Sequence, residues 1–463
     1  LGKEGRIFVK KKQSTNQIIM TEGEIWKQLL AFSVPLLAGN LFQQLYNTID
    51  AVVVGRYVGK EALSAVGGAT GALINVLIGF FIGISSGATV IISQYYGGKK
   101  KEEVSRSVHT AIALAVVGGL FIMVIGLMAS PLALKLMGTP PEVYKDALIF
   151  IRVYFLGTVF NIVYNMAAGI LRAIGDSKRP LYFLIASCGV NIILDLIFVV
   201  LFHWGVAGAA AATVIAQLVS AVLVCKVLMK TEECYKLYPL QVRFHKDILK
   251  RIIHIGLPTG AQSLMYTTSN LFIQSSMNAF GLNVLAAWAA YGKIDGIFWM
   301  IMNSFGVSVT TFVGQNYGAG KQARVSKGIR VCLSFAMISA VFLSLILSIF
   351  AADIIGIFNN DTEVIKEGLL ILHFLVPTYC TYVLIEILSG ALRGMGQSVM
   401  PFILTLFGVC VLRVIWLLTA APAFHDVRAV IFCYPLTWTF TSILYIIYFL
   451  YFKKKYGFIN NNI

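Results

Sequence analysis

Twelve long apolar runs, separated by short polar segments, occupy most of the chain. They fall near 29–54, 63–95, 108–130, 147–171, 181–202, 206–228, 252–280, 284–316, 331–352, 367–392, 400–420 and 429–452. A helix of about 20 residues crosses roughly 30 Å of hydrocarbon, so each run is long enough to span a bilayer. Several exceed that minimum, which permits tilt but fixes no angle. The pattern predicts an all-α polytopic membrane protein with twelve transmembrane helices.

The pattern also repeats. At an offset of 221, SQYYGGKKKEEVSR (93–106) aligns with GQNYGAGKQARVSK (314–327), and GILRAIGDSKRP (169–180) with GALRGMGQSVMP (390–401). Twelve of these 26 positions are identical, where chance gives about two. Pro35 and Pro258 correspond at an offset of 223. Each half holds six runs, an even number, so both halves insert with the same orientation. Two parallel six-helix bundles with a binding site at their interface are a transporter architecture. The expected divisions are an N-terminal segment (1–28), an N-lobe (29–229), a linker (230–250), a C-lobe (251–452) and a tail (453–463).

Composition narrows the class. Hydrophobic residues make up 58% and charged residues 13% of the chain, the latter about half the share in soluble domains. No soluble enzyme, disordered chain or disulfide-stapled secreted domain fits. The net charge of +16 is spread through short loops, not gathered on one face, so it orients the chain in a membrane and does not bind nucleic acid. Of the 37 Lys and Arg residues, 27 lie in the N-terminal segment, in the loops after even-numbered runs and in the tail, and Lys226 lies at the adjoining end of the sixth run. By the positive-inside rule both termini are expected in the cytoplasm. The seven cysteines lack metal-ligand spacing and read as small core residues. The first 28 residues have no apolar core of a cleaved signal peptide.

Several of these segments resemble the multidrug and toxic compound extrusion (MATE) family. They are MTEGEIWKQLLAFSVPLLAGNLFQQLYNTIDAVVVGRYVGKEALSAVG (20–67), SQYYGGKK, GILRAIGDSKRP and its second-half counterpart. The similarity covers 20–455 and starts at Met20, which leaves 1–19 as either a native extension or a foreign addition. It implies a secondary exporter in a bacterial plasma membrane, acting as a monomer among membrane lipids. The implied substrates are small organic compounds, often cationic, driven by inward H⁺ or Na⁺ with no other cofactor.

A carboxylate at the bilayer centre costs about 2.5–3.5 kcal/mol on insertion scales, so each needs a reason. Asp50 lies in the first run, and Asp195 in the fifth with Asn191 one turn before it. At about 1.5 Å per residue, Asp50, Asp195 and Thr213 of the sixth run reach a similar depth, roughly 6–10 Å from the outer end, with Asn191 a turn deeper. Two carboxylates sharing a low-dielectric site titrate as a unit. With an amide oxygen and a hydroxyl beside them they also make a hard ligand set for Na⁺. The resemblance places the N-lobe cation-coupling site on these same four positions. The structural alternative is that Asp50 only caps a bend or bonds a neighbouring helix.

The second half carries other charges. At the repeat offset Asp295 replaces Ile74 and Glu386 replaces Asn165, and the seventh run has no acid. The MATE branch with a Glu in that run is therefore disfavoured. Asp295 and Arg413 reach similar depth, which suits either a structural ion pair or a substrate contact. Glu386 could receive a cationic group, and Gln43, Gln44, Tyr46 and Asn47 are cavity candidates because polar side chains avoid lipid. Arg172 and Arg393 read as helix-end anchors to lipid phosphates, and the Tyr96-Gly97 and Tyr317-Gly318 pairs as helix ends. His373 and its repeat equivalent Arg152 read mainly as packing positions. A lipid-linked oligosaccharide flippase of the same superfamily is the alternative function, although few basic residues (Arg152, Lys293, Arg413) fall at cavity depth. No nucleophile–base set or HExxH motif supports an enzyme.

Overall fold

The computed structural model describes residues 17–455, apart from the side chains at 69 and 72. Twelve long helices run in alternating directions. They are α1 (Ile25–Tyr57), α2 (Ala69–Gly97), α3 (Lys101–Leu136), α4 (Pro141–Ala173), α5 (Lys178–Leu201) and α6 (Gly205–Lys230) in the first half. The second half holds α7 (Lys246–Met277), α8 (Leu282–Gly318), α9 (Gln322–Ile349), α10 (Thr362–Gly394), α11 (Val399–Phe424) and α12 (Val427–Lys455).

Eleven of these helices are apolar enough to cross a membrane by length and composition. The other, α7, is diluted by Gln262, Ser263, Thr267, Thr268, Ser269 and Asn270. That polarity has a cause, since Gln262, Ser263 and Tyr266 line a cleft between the halves and not lipid. Three of these helices change pitch within their length, α10 through a 3-10 turn at Val376–Thr378. The last turns of α5 are π-helical from Leu196 to Leu201, and α11 has a π-helical segment from Leu406 to Val411.

Two hydrophobic cores form, one for each half, and they exchange helix ends. Ile25, Leu29 and Phe32 at the start of α1 belong to the core of the second half. Ile248, Ile252 and Ile255 at the start of α7 belong to that of the first. Both starts lie at the end of the bundle that carries the 230–246 connection, called here the linker face.

The halves are joined at the linker face and about midway along the bundle. Gln94 donates to the Gly394 carbonyl and Gln315 to the Ala173 carbonyl, each at 2.8 Å. These are repeat-related residues making repeat-related bonds. Ser33 meets Ser308 at 2.8 Å, and Asn40 donates to Ser304 at 3.1 Å. No inter-lobe hydrogen bond beyond Asn40, toward the opposite face, is found among the described residues.

Gly97 and Gly318 explain how the helices come so close. A Cβ on Gly97 would overlap the Gln315 carbonyl, and one on Gly318 would overlap the Gln94 carbonyl. Neither glycine has a positive φ. The Tyr-Gly pairs end α2 and α8, as the sequence suggested, and these ends are also where the two helices cross. Left-handed glycines end α3, α4, α8 and α10 at Gly138, Gly175, Gly320 and Gly396, with φ of 67°, 91°, 72° and 88°. Asp176 N–H and Gln397 N–H close the matching bonds to Leu171 and Leu392, both at 2.9 Å.

Residues 17–23 form a strap across the linker face. Ile18 N–H bonds the Gly175 carbonyl and Gln17 bonds the Tyr235 hydroxyl, on the first-half side. On the second-half side, the Met20 carbonyl accepts from Asn316 and Arg324, and Arg324 also reaches the carbonyls of Glu22 and Gly23. The Met20 side chain is fully buried.

Candidate ion pocket and central cleft

Three helices deliver one cluster of polar groups to the interior of the first half. Asp50 projects from the half of α1 away from the linker face, Asn191 and Asp195 from consecutive turns of α5, and Thr213 from α6. All four are buried, Asn191 and Asp195 completely. Asp195 is the last residue before the π-helical segment, a local departure from α geometry of the kind that recurs at functional sites. The depth argument from sequence placed these residues together, and the structure brings them together.

Asp50 and Asp195 lie within hydrogen-bonding reach of each other. Two carboxyl groups hold such a contact only when a proton or a cation sits between them. Apart from this mutual contact, both oxygens of Asp195 and Oδ1 of Asp50 lack a hydrogen-bond donor among the described residues. Both side-chain atoms of the Asn191 amide also lack a partner. Leaving buried polar atoms unsatisfied costs about 1–3 kcal/mol each, more for charged groups. An oxygen-rich set with that many free lone pairs fits a bound monovalent cation or proton.

Tyrosines close the pocket. The Tyr46 hydroxyl stands near Thr213, whose own hydroxyl donates to the Ala209 carbonyl at 3.0 Å, and Tyr154 stands near Asp50 with its hydroxyl 3.4 Å from Gln217. Sequence reasoning placed Tyr46 with the substrate cavity; it lines the first-half cavity that holds Asp50, and not the central cleft. Tyr154 and Gln217 were missed. A lone tyrosine or glutamine in an apolar run carries no signal until the depth of its neighbours is known.

The first-half cavity has a volume of about 490 Å³. It meets a second cavity of about 560 Å³ between the halves. Asn40, Gln43, Asn47, Asn165 and Arg172 line both. Gln43, Gln44, Asn47 and Glu386 all face the central cleft, as the sequence suggested. Glu386 accepts from Tyr382 at 3.1 Å and lies 3.7 Å from Arg393.

Other expectations are corrected. Asp295 and Arg413 form no ion pair and do not line the central cleft. Asp295 accepts from Trp299 at 2.6 Å, Tyr379 at 2.7 Å and Tyr291 at 3.2 Å, so aromatic donors satisfy its oxygens. Arg413 donates to Asn270 at 3.2 Å and packs over the Tyr434 ring at 4.6 Å. Arg152 and Lys293 are exposed on helix surfaces, and His373 bonds the Ser348 carbonyl at 3.2 Å. The basic residues of the cleft are instead Arg172 and Arg393, read from sequence as lipid anchors.

A family model described as MatE matches residues 35–197 and 258–418. Among curated proteins, the chain is 28% identical over 397 residues to "Probable multidrug resistance protein YoeA" of Bacillus subtilis (strain 168), covering 83% of this chain and 84% of that one. It is 24% identical over 402 residues to "Multidrug export protein MepA" of Staphylococcus aureus (strain NCTC 8325 / PS 47), covering 86% and 88%. The fold is similar to a solved structure described as the outward-facing conformation of a multidrug resistance MATE family transporter. That match has a TM-score of 0.88 at 22% identity and covers 96% of this chain and 99% of the other.

Proposed function

The chain belongs to the MatE family, and from that premise we propose that it exports small organic compounds, cationic ones included, in exchange for inward H⁺ or Na⁺. The names of its curated relatives favour multidrug export over lipid-linked oligosaccharide flipping. The observation that carries the coupling reading is the contact between Asp50 and Asp195, beside the unsatisfied amide of Asn191. The reading puts the chain in a plasma membrane as a monomer, with the linker face and both termini in the cytoplasm, in line with the excess of Lys and Arg there.

Coupling follows from shared elements. Helix α1 carries Asp50 in the ion pocket and Asn40, Gln43 and Asn47 on the wall of the cleft. Pro35 lies inside α1 and removes one hydrogen bond from its ladder, which makes bending there cheap. An ion or proton entering from the opposite face compensates Asp50 and Asp195 and draws α1 toward α5. The cleft wall moves with it, and bound substrate is released to the same side. Each monovalent cation moving through 100 mV supplies about 2.3 kcal/mol. Rocking of the two halves then exposes the pocket to the linker face, where the ion leaves.

The test is efflux of a fluorescent organic cation from proteoliposomes with a Na⁺ or an H⁺ gradient imposed separately. One gradient alone should drive export against a substrate gradient. Export indifferent to both would overturn the reading.

A further inference from the structure

The internal repeat supplies a comparison within one molecule. Thr89, Gly169 and Arg172 recur at the offset of 221 as Thr310, Gly390 and Arg393. Two positions around the arginine differ between the halves: Ser85 stands against Gly306, and Asn165 against Glu386. In the second half the arginine has a built-in counter-ion, because Glu386 lies 3.7 Å from it. Gly306 makes room for that acid, since a Cβ there would overlap the Glu386 carboxylate.

The first half has the same frame without the acid. The Asn165 amide turns away onto Asn161, donating to its carbonyl and its side-chain oxygen, both at 2.9 Å. A Cβ added to Gly169 would meet the Arg172 guanidinium and the Thr89 and Ser85 hydroxyls of α2, so all three groups border Gly169. Among the described residues, no carboxylate reaches ion-pair distance of Arg172. The charged residues lining the central cleft are Arg172, Arg393 and Glu386, which leaves one positive charge in excess. An arginine held inside a protein without a counter-ion is costly. Its planar fork matches a carboxylate through two parallel hydrogen bonds.

We propose that Arg172 is the receptor for a carboxylate carried by the transported compound, which takes beside Arg172 the place that Glu386 takes beside Arg393. The substrates are then amphoteric organic compounds, with an acidic group as well as any cationic one. This rests on the export reading and adds a charge rule to it.

The test is equilibrium binding of a fluorescent amphoteric amino acid dye and of its methyl ester to the purified full-length protein in detergent. The wild type should prefer the acid. Arg172→Gln should weaken acid binding by about tenfold or more while moving the ester by less than about twofold. Asn165→Glu should do the same with the arginine still present, by installing the counter-ion of the second half. Equal loss for both probes, no loss for either, or a wild type that does not prefer the acid would overturn the proposal. Efflux from proteoliposomes separates the two claims: Arg172-dependent binding without gradient-driven efflux leaves the receptor standing and sinks the export reading.

Discussion

Asp50 on α1 and Asp195 on α5 lie within reach of each other in the buried interior of the first half, although 145 residues separate them in sequence. Both are acids, so the contact needs a third participant. The participant proposed here is the coupling ion. Asp50→Asn and Asp195→Asn should each abolish gradient-driven export while the protein still elutes as a folded species on size-exclusion chromatography. Efflux at the wild-type rate in either variant argues against the pocket.

The surrounding oxygens grade the effect. Thr213→Ala removes one candidate ligand and a hydroxyl near Tyr46. It should raise the ion concentration needed for half-maximal export without abolishing transport, whereas Thr213→Ser keeps the hydroxyl and stays near wild type. Ion titrations of initial efflux rates read this out.

Asp295 is the control. It is also an acid within a helical bundle, but Trp299, Tyr379 and Tyr291 already satisfy it. Hydrogen bonds to a charged group contribute about 1.5–3 kcal/mol each, so Asp295→Asn should lower thermal stability. It should leave the dependence of export on the imposed ion gradient unchanged.

The linker-face seal is built from paired close contacts. Gly97→Ala or Gly318→Ala places a methyl group where the Gln315 or Gln94 carbonyl lies. Overpacking of that kind costs about 1–3 kcal/mol, and it acts only on the state in which this face is closed. Distances between spin labels on the ends of α2 and α8 should lengthen in either variant. An unchanged distance distribution would show that the seal tolerates the methyl group.

The strap adds a second brace. Arg324→Ala removes bonds to the carbonyls of Met20, Glu22 and Gly23 and to Gln28. Limited proteolysis within residues 17–23 should accelerate in that variant. Cleavage at the wild-type rate would mean that the buried Met20 side chain and the bonds of Gln17, Ile18 and Asn316 hold the strap without Arg324.

The legible parts of this structure were those with a one-dimensional signature. Run length and spacing marked the twelve helices, and depth counted along a helix brought Asp50, Asn191, Asp195 and Thr213 together. The repeat was visible in identities such as Arg172 and Arg393. Its meaning was not, because helix-end position alone does not distinguish a lipid-facing arginine from one turned into a cleft. Asp295 and Arg413 misled for a related reason: equal depth does not imply equal azimuth, and each found aromatic or amide partners on its own side. The crossing at Gly97 and Gly318 was hidden because a close backbone approach between distant helices leaves only a glycine in the sequence.

The most direct measurement compares two modes of transport in proteoliposomes containing the Asp50→Asn, Asp195→Asn double variant. Substrate exchange down its own gradient needs only the cleft, and uphill export needs the ion pocket. Retained exchange with no uphill export under either imposed ion gradient is the predicted result. Uphill export by the double variant would contradict the account at its centre.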